Sequence, residues 1–227
     1  MPLAGQLAMG RVFALKDVRV FFKKTGRMKF ISHLDLQRFM IRMIRRSGIP
    51  VWYSEGFNPH PYITFALPLS LGFESTYDIM DMRLDDDNFP LDKTLEMLKA
   101  VMPDGIELFG IGEPKTKAGK IAFADYEIIF DKIGDDVVES FNAFLSQKEI
   151  LTEKRSKKGK MNAVDLAPSI KSFKVSNGKI DITLAAGANN LNPKLVFEAF
   201  EESRGLKLPY LNVVRTMIYD TDGNEFM

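Results

Sequence analysis

Residues 32–72 read SHLDLQRFMIRMIRRSGIPVWYSEGFNPHPYITFALPLSLG. This stretch decides the fold. Ser32 followed by Asp35 is a capping-box pattern that opens a helix. Gly48 and Pro50 close it. At 100° per residue, Leu36, Phe39, Met40, Met43 and Ile44 share one face, and Arg38, Arg42, Arg45 and Arg46 share the opposite one. The apolar face requires a sheet to cover it; the arginine face does not. The connection at 55–61 is too rich in Gly, Asn and Pro to be regular, and residues 62–69 return to a strand pattern.

Working outward, residues 17–23 alternate as a strand before the helix, 51–54 form a short second strand, and 76–84 continue the sheet. A helix over 91–101 stops at Pro103-Asp104-Gly105, and 106–111 is a strand. The order is βαββαβ, the split-βαβ pattern of ferredoxin-like units. After the polar stretch 113–120 the order repeats. Strand 124–131, helix 135–147, strand 150–155, a connection or helix within 161–173, a hairpin at 173–175 and 179–185, a helix from Asn192-Pro193 and a strand at 211–219 follow. The expected fold is α+β, two tandem ferredoxin-like units whose antiparallel sheets carry helices on one face. The expected division is an arm (1–16), a first unit (17–112), a linker (113–122) and a second unit (123–227).

Composition narrows the chemistry. The 227 residues include no cysteine, which excludes disulfides, thiolate zinc sites, cysteine nucleophiles and cysteine-ligated clusters. Two histidines make a histidine-rich metal site improbable, and no phosphate-cradling glycine motif is present. No metal or cofactor is expected. No apolar run approaches a membrane span, and residues 1–17 lack a basic segment followed by an apolar core, so a cytoplasmic protein without a signal peptide is expected. The net charge of +1 hides asymmetry: residues 19–46 carry nine Lys/Arg and one acid, whereas 74–107 carry ten acids and three bases.

Four groups of residues are candidates for function. Arg27, Lys29, Arg38, Arg42, Arg45 and Arg46 form a row suited to phosphates. Ordinary solvated helix faces carry such rows as well. In the loop, two prolines hold Asn58 and His60 in defined positions, and Phe57 either stacks on a base or plugs the core. Lys154, Arg155, Lys157, Lys158 and Lys160 extend the basic surface from the second unit. His33 at the helix start and His60 are the available acid–base pair, and a nucleic-acid contact is the other reading of both. Arg215 is expected to meet an acid, with Asp165 the candidate. Asp85, Asp86 and Asp87 read as a solvated turn, because consecutive carboxylates in an extended chain do not converge.

The S-H-L-D and G-F-N-P-H-P strings in combination resemble the radical-SAM-linked family, a bacterial domain of unknown function found alone or fused behind a radical SAM protein. The likeness is strongest over 18–75 and continues through V-D-L-A-P-S-I-K-S-F (164–173) and V-V-R-T-M-I-Y (213–219). The family pattern usually has an arginine where this chain has Ala167. With no cysteines here, radical chemistry would belong to a separate radical SAM partner. The resemblance implies an accessory module, and family members are often encoded beside ribonuclease G and ribosomal proteins. The reading is an RNA-binding module that presents ribosomal or transfer RNA to such a partner or to another processing enzyme. A metal-independent endoribonuclease using His33 and His60, and a protein–protein adaptor, are the alternatives.

Overall fold

The computed structural model describes residues 14–130, 134–155, 161–176, 178–209 and 211–227; the side chains of Lys154 and Arg155 lie outside this set. The elements in chain order are β1 (Lys16–Lys24), α1 (His33–Ser47), β2 (Ile63–Phe65), β3 (Glu74–Leu84), α2 (Leu91–Lys99), β4 (Ile106–Gly112), β5 (Ile121–Phe130), α3 (Asp135–Leu145), β6 (Leu151–Arg155), β7 (Met161–Asp165), β8 (Ile170–Ser176), β9 (Lys179–Ala185), α4 (Pro193–Arg204) and β10 (Leu211–Asp220). The fold is mixed α+β, with four helices and one large, mostly antiparallel sheet.

The sheet runs β4-β1-β3-β10-β5-β9-β8, and β2 also pairs with β3. In the first half β1 is flanked by β3 and β4, with β2 beyond β3, all antiparallel. In the second half β5 is flanked by β9 and β10, with β8 beyond β9, again all antiparallel. The halves meet where β3 and β10 run parallel, Glu74 beside Val214 and Ser75 beside Arg215.

Each half has its own core. Leu36, Met40 and Ile44 of α1 and Leu98 of α2 pack on Val18, Val20 and Phe22 of β1 and on Met80 and Met82 of β3. Burying each such side chain contributes about 1.5–3 kcal/mol. In the second half Phe141 of α3 and Phe200 of α4 sit 4.4 Å apart between ring centroids, over Tyr126, Ile128 and Ile182. The cap reading of α1 is realised: the Asp35 backbone N–H donates to Ser32 Oγ (3.1 Å), and Gly48 ends the helix at φ 74°.

Three elements differ from expectation. Residues 51–54 make only isolated bridges, Val51 with Leu84 and Tyr53 with Pro61. The expected strand at 62–69 shortens to β2, since Pro61 and Pro68 bracket it and lack a donor for the ladder. Residues 161–165, expected as a connection or helix, are β7, which pairs with β6 in a separate two-stranded sheet. Among the described residues, no helix is long and apolar enough to cross a membrane.

Candidate nucleic-acid interface

The outward face of α1 carries the arginine row. Arg38 lies 3.5 Å from Asp35, both exposed. Arg42 and Arg46 are exposed, with no hydrogen-bond or ion-pair partner among the described residues, and so is Arg27. Successive turns lift these guanidiniums about 5–6 Å along the axis. Arg45 turns toward the Gly/Pro loop: its Nη2 donates to the Pro59 carbonyl (3.4 Å), and its Cζ lies 5.7 Å from the centre of the Tyr53 ring.

The loop is held by its own polar groups. Ser54 N–H donates to the His60 carbonyl (2.9 Å), and His60 N–H donates to Ser54 Oγ (3.3 Å). The His60 ring anchors the turn through Nδ1, which lies 3.1 Å from Ser54 Oγ and 3.1 Å from the Asn58 carbonyl oxygen. Gly56 sits at φ 123°, where side-chained residues are strained. The loop thus presents Phe57 outward, at 105% relative exposure, with Asn58 and His60 exposed beside it. Phe57 is no core plug.

Several expected members lie elsewhere. Lys29 is turned inward to the junction of the halves, 3.2 Å from Glu74 Oε1 and 3.0 Å from Asn212 Oδ1. Its charge serves that junction, which is a correction to its place in the phosphate row. His33 packs edge-on against Phe65 (5.3 Å between ring centroids) at the first turn of α1. The two rings have different partners, Phe65 for His33 and Ser54 with the Asn58 carbonyl for His60, and no contact between them is found among the described residues. Lys157, Lys158 and Lys160 lie outside the described residues, as do the side chains of Lys154 and Arg155.

Arg215 is fully buried at the junction and meets Asp78, not Asp165. Its Nη2 donates to Asp78 Oδ1 (2.9 Å) and its Nη1 to the Leu67 carbonyl (2.8 Å). Asp165 instead accepts the backbone N–H groups of Ile150 (2.8 Å) and Ala167 (3.0 Å), which fixes the base of the β6–β7 hairpin. Lys24 is buried near Asp78. Burial pushes the Asp78 carboxyl above the usual carboxylate range against the attraction of Arg215, and burial pushes the Lys24 ammonium down. Asp86 and Asp87 hydrogen-bond Asn88 in a turn, as the spacing of the acids implied.

Sequence reasoning missed the cation–aromatic contacts around the loop. Arg83 lies 5.4 Å from the Trp52 ring centre and 5.2 Å from that of Tyr62, and it ion-pairs with Asp17 (2.7 Å). The β3 alternation signals which face Arg83 occupies, but its partners come from three separate segments. A cavity of about 710 Å³ in the second half is lined, among the described residues, without a charged side chain and contains no candidate residue.

Residues 17–193 match DUF2344, described as an uncharacterized protein conserved in bacteria, and the chain belongs to that family. No curated protein matches it. Among solved structures, a chain in the crystal structure of a Cbf5-Nop10-Gar1 complex is similar at 8% identity and a TM-score of 0.43, covering 88% of this chain and 48% of that one. This chain thus spans about half its length. The crystal structure of a putative glycine cleavage system transcriptional repressor is similar at 12% identity and a TM-score of 0.26, covering 88% and 98%. Likenesses at these scores carry no functional argument.

Proposed function

We propose that this DUF2344 protein is an RNA-binding accessory module of the cytoplasm, which presents structured ribosomal or transfer RNA to a separate radical SAM protein or another RNA-processing partner. One observation carries the reading: the outward face of α1 holds Arg38, Arg42, Arg45 and Arg46 exposed, next to a braced loop whose Phe57 is wholly in solvent. Guanidiniums one turn apart suit successive phosphates, and an exposed aromatic ring suits an unpaired base. We read the two halves as tandem ferredoxin-like units, because each repeats the strand order fourth-first-third-second and has its own core. The partner is inferred from the sequence resemblance and from the lack of any cysteine in this chain.

The test is RNA affinity against salt. Engaging four phosphates predicts a fall of about 50- to 150-fold between roughly 50 and 200 mM salt. Negligible affinity at both concentrations removes the reading. A protein-adaptor reading is favoured by Phe30, Leu34 and Leu71, large apolar side chains exposed near the start of α1. Recovery of a radical SAM protein with this chain after nuclease treatment, without measurable RNA affinity, would support the adaptor.

A further inference from the structure

The sheet face turned away from α1 and α2 holds a second site. Along β1, Val18, Val20 and Phe22 enter the helix-covered core, so Asp17 and Arg19 emerge on the other side. Their register partners on β3 are Arg83 and Asp81. The result is two cross-strand ion pairs. Arg19 grips Asp81 with a two-pronged fork (Nε–Oδ1 2.7 Å, Nη2–Oδ2 2.8 Å), and Arg83 Nε donates to Asp17 Oδ1 (2.7 Å).

The segment after β4 folds over these pairs. Its position is set by Met227: the N–H groups of Lys115 and Thr116 both donate to a main-chain oxygen of that residue, each at 3.2 Å. Between this segment and the sheet lies a cavity of about 370 Å³. That volume falls in the range of small-ligand sites.

The chemistry of the lining selects the ligand. Both carboxylates in the wall, Asp17 and Asp81, are already matched by guanidiniums. Lys115 and Lys117 add two cations without matching acids in the wall, so its formal balance is four cations to two anions. Arg19 is 1% exposed and stacked 4.4 Å from the Phe226 ring centre, and its Nη1 has no hydrogen-bond acceptor among the described residues. A buried guanidinium N–H without an acceptor is uncommon in folded proteins, and it leaves partial positive charge beneath the cavity floor, which favours an anion above it. Thr64 and Thr116 contribute hydroxyls to the same wall.

We propose that this cavity binds a small oxyanion-bearing molecule of up to mononucleotide size, held by Lys115 and Lys117 above the Arg19 guanidinium in its floor. The site lies across the sheet from the arginine row of α1, so it is independent of the RNA reading.

The single tryptophan makes the test direct. Trp52 packs against Arg83 (5.4 Å) and Tyr62 (5.7 Å), both of which line the cavity. Trp52 emission and calorimetric heat are followed while the full chain is titrated, at low salt, with inorganic phosphate, uridine 5′-monophosphate, citrate or uridine. A saturable response to oxyanions and none to uridine is expected. A response to the two phosphates alone assigns a phosphate site; a response to citrate as well assigns a general oxyanion site. In K115E/K117E, whose altered side chains are exposed and whose melting temperature serves as the folding control, affinity should fall about tenfold or more. No saturable signal from any oxyanion up to about 10 mM, or unchanged affinity in K115E/K117E, overturns the proposal.

Discussion

Arg215→Met tests whether the halves are joined by a buried ion pair. In the folded protein Arg215 and Asp78 have side-chain exposures of 0% and 3%, and they lie 2.9 Å apart. Removing the guanidinium leaves a carboxylate without water and without its closest cation, and breaking such a pair costs about 3–5 kcal/mol. Lys24 also attracts Asp78, so the lower end of that range is expected. With a urea m-value of about 3 kcal/mol/M for a chain of this size, the midpoint should drop by roughly 1 M. Asp78→Leu combined with Arg215→Met removes both charges and should recover part of the loss, since buried Lys24 then lacks its main anion, with a coupling of about 2 kcal/mol or more. The pH dependence has a defined sign. Burial holds the folded Asp78 carboxyl above its unfolded value of about 3.9. Between the two pKa values the folded state binds more protons, so stability falls as pH rises through that window. Losing Arg215 raises the folded value further, so the deficit of Arg215→Met should shrink as pH is lowered from neutral. The assay is urea unfolding followed by circular dichroism at several pH values. A loss under about 1 kcal/mol at neutral pH, or a double variant at the sum of the singles, would falsify the buried-pair account.

Arg42→Glu with Arg46→Glu should weaken RNA binding and reduce the log–log salt slope by about 2, while stability stays within roughly 0.5 kcal/mol, because both side chains are exposed and unpaired among the described residues; filter binding across a salt series reads this. Phe57→Ala should leave the melting temperature unchanged and cost about 1–3 kcal/mol in affinity for an unpaired strand, with little effect on a duplex; competition binding separates the two. Ser32→Ala removes the acceptor for the Asp35 N–H and should cost about 0.5–2 kcal/mol by urea titration. Tyr219 is pushed up to about 12 by burial, reinforced by its hydrogen bond to Asp125, and burial also pushes Tyr77 and Tyr126 up, so an ultraviolet titration should show a late-ionising group of phenols that loses a member in Tyr219→Phe. Stability linked to Tyr219 is then present below pH about 10 and lost as pH rises toward 12.

The arginine row and the braced loop were legible because both are local. A 3.6-residue period places Arg38, Arg42, Arg45 and Arg46 on one side without reference to the rest of the chain. Two prolines and a glycine at φ 123° shape the loop in the same way. Lys29 was misplaced because its partners, Glu74 and Asn212, arrive from strands far along the chain. Strand β7 was missed because its five residues are too few to establish a period, and the adjacent Ala163 and Val164 break strict alternation; its pairing is supplied by β6.

The amino-acid order alone determined the caps, the amphipathic faces and the βαββαβ succession of the first half, since each depends on contacts within a turn or two of chain. Tertiary structure alone decided that Arg215 meets Asp78, 137 residues away, that Lys29 turns to Glu74 and Asn212, and that cross-strand ion pairs floor a cavity behind the sheet. Such pairings are set by sheet register and by which strands adjoin. No local pattern encodes them, because either charge alone is equally consistent with a solvated surface.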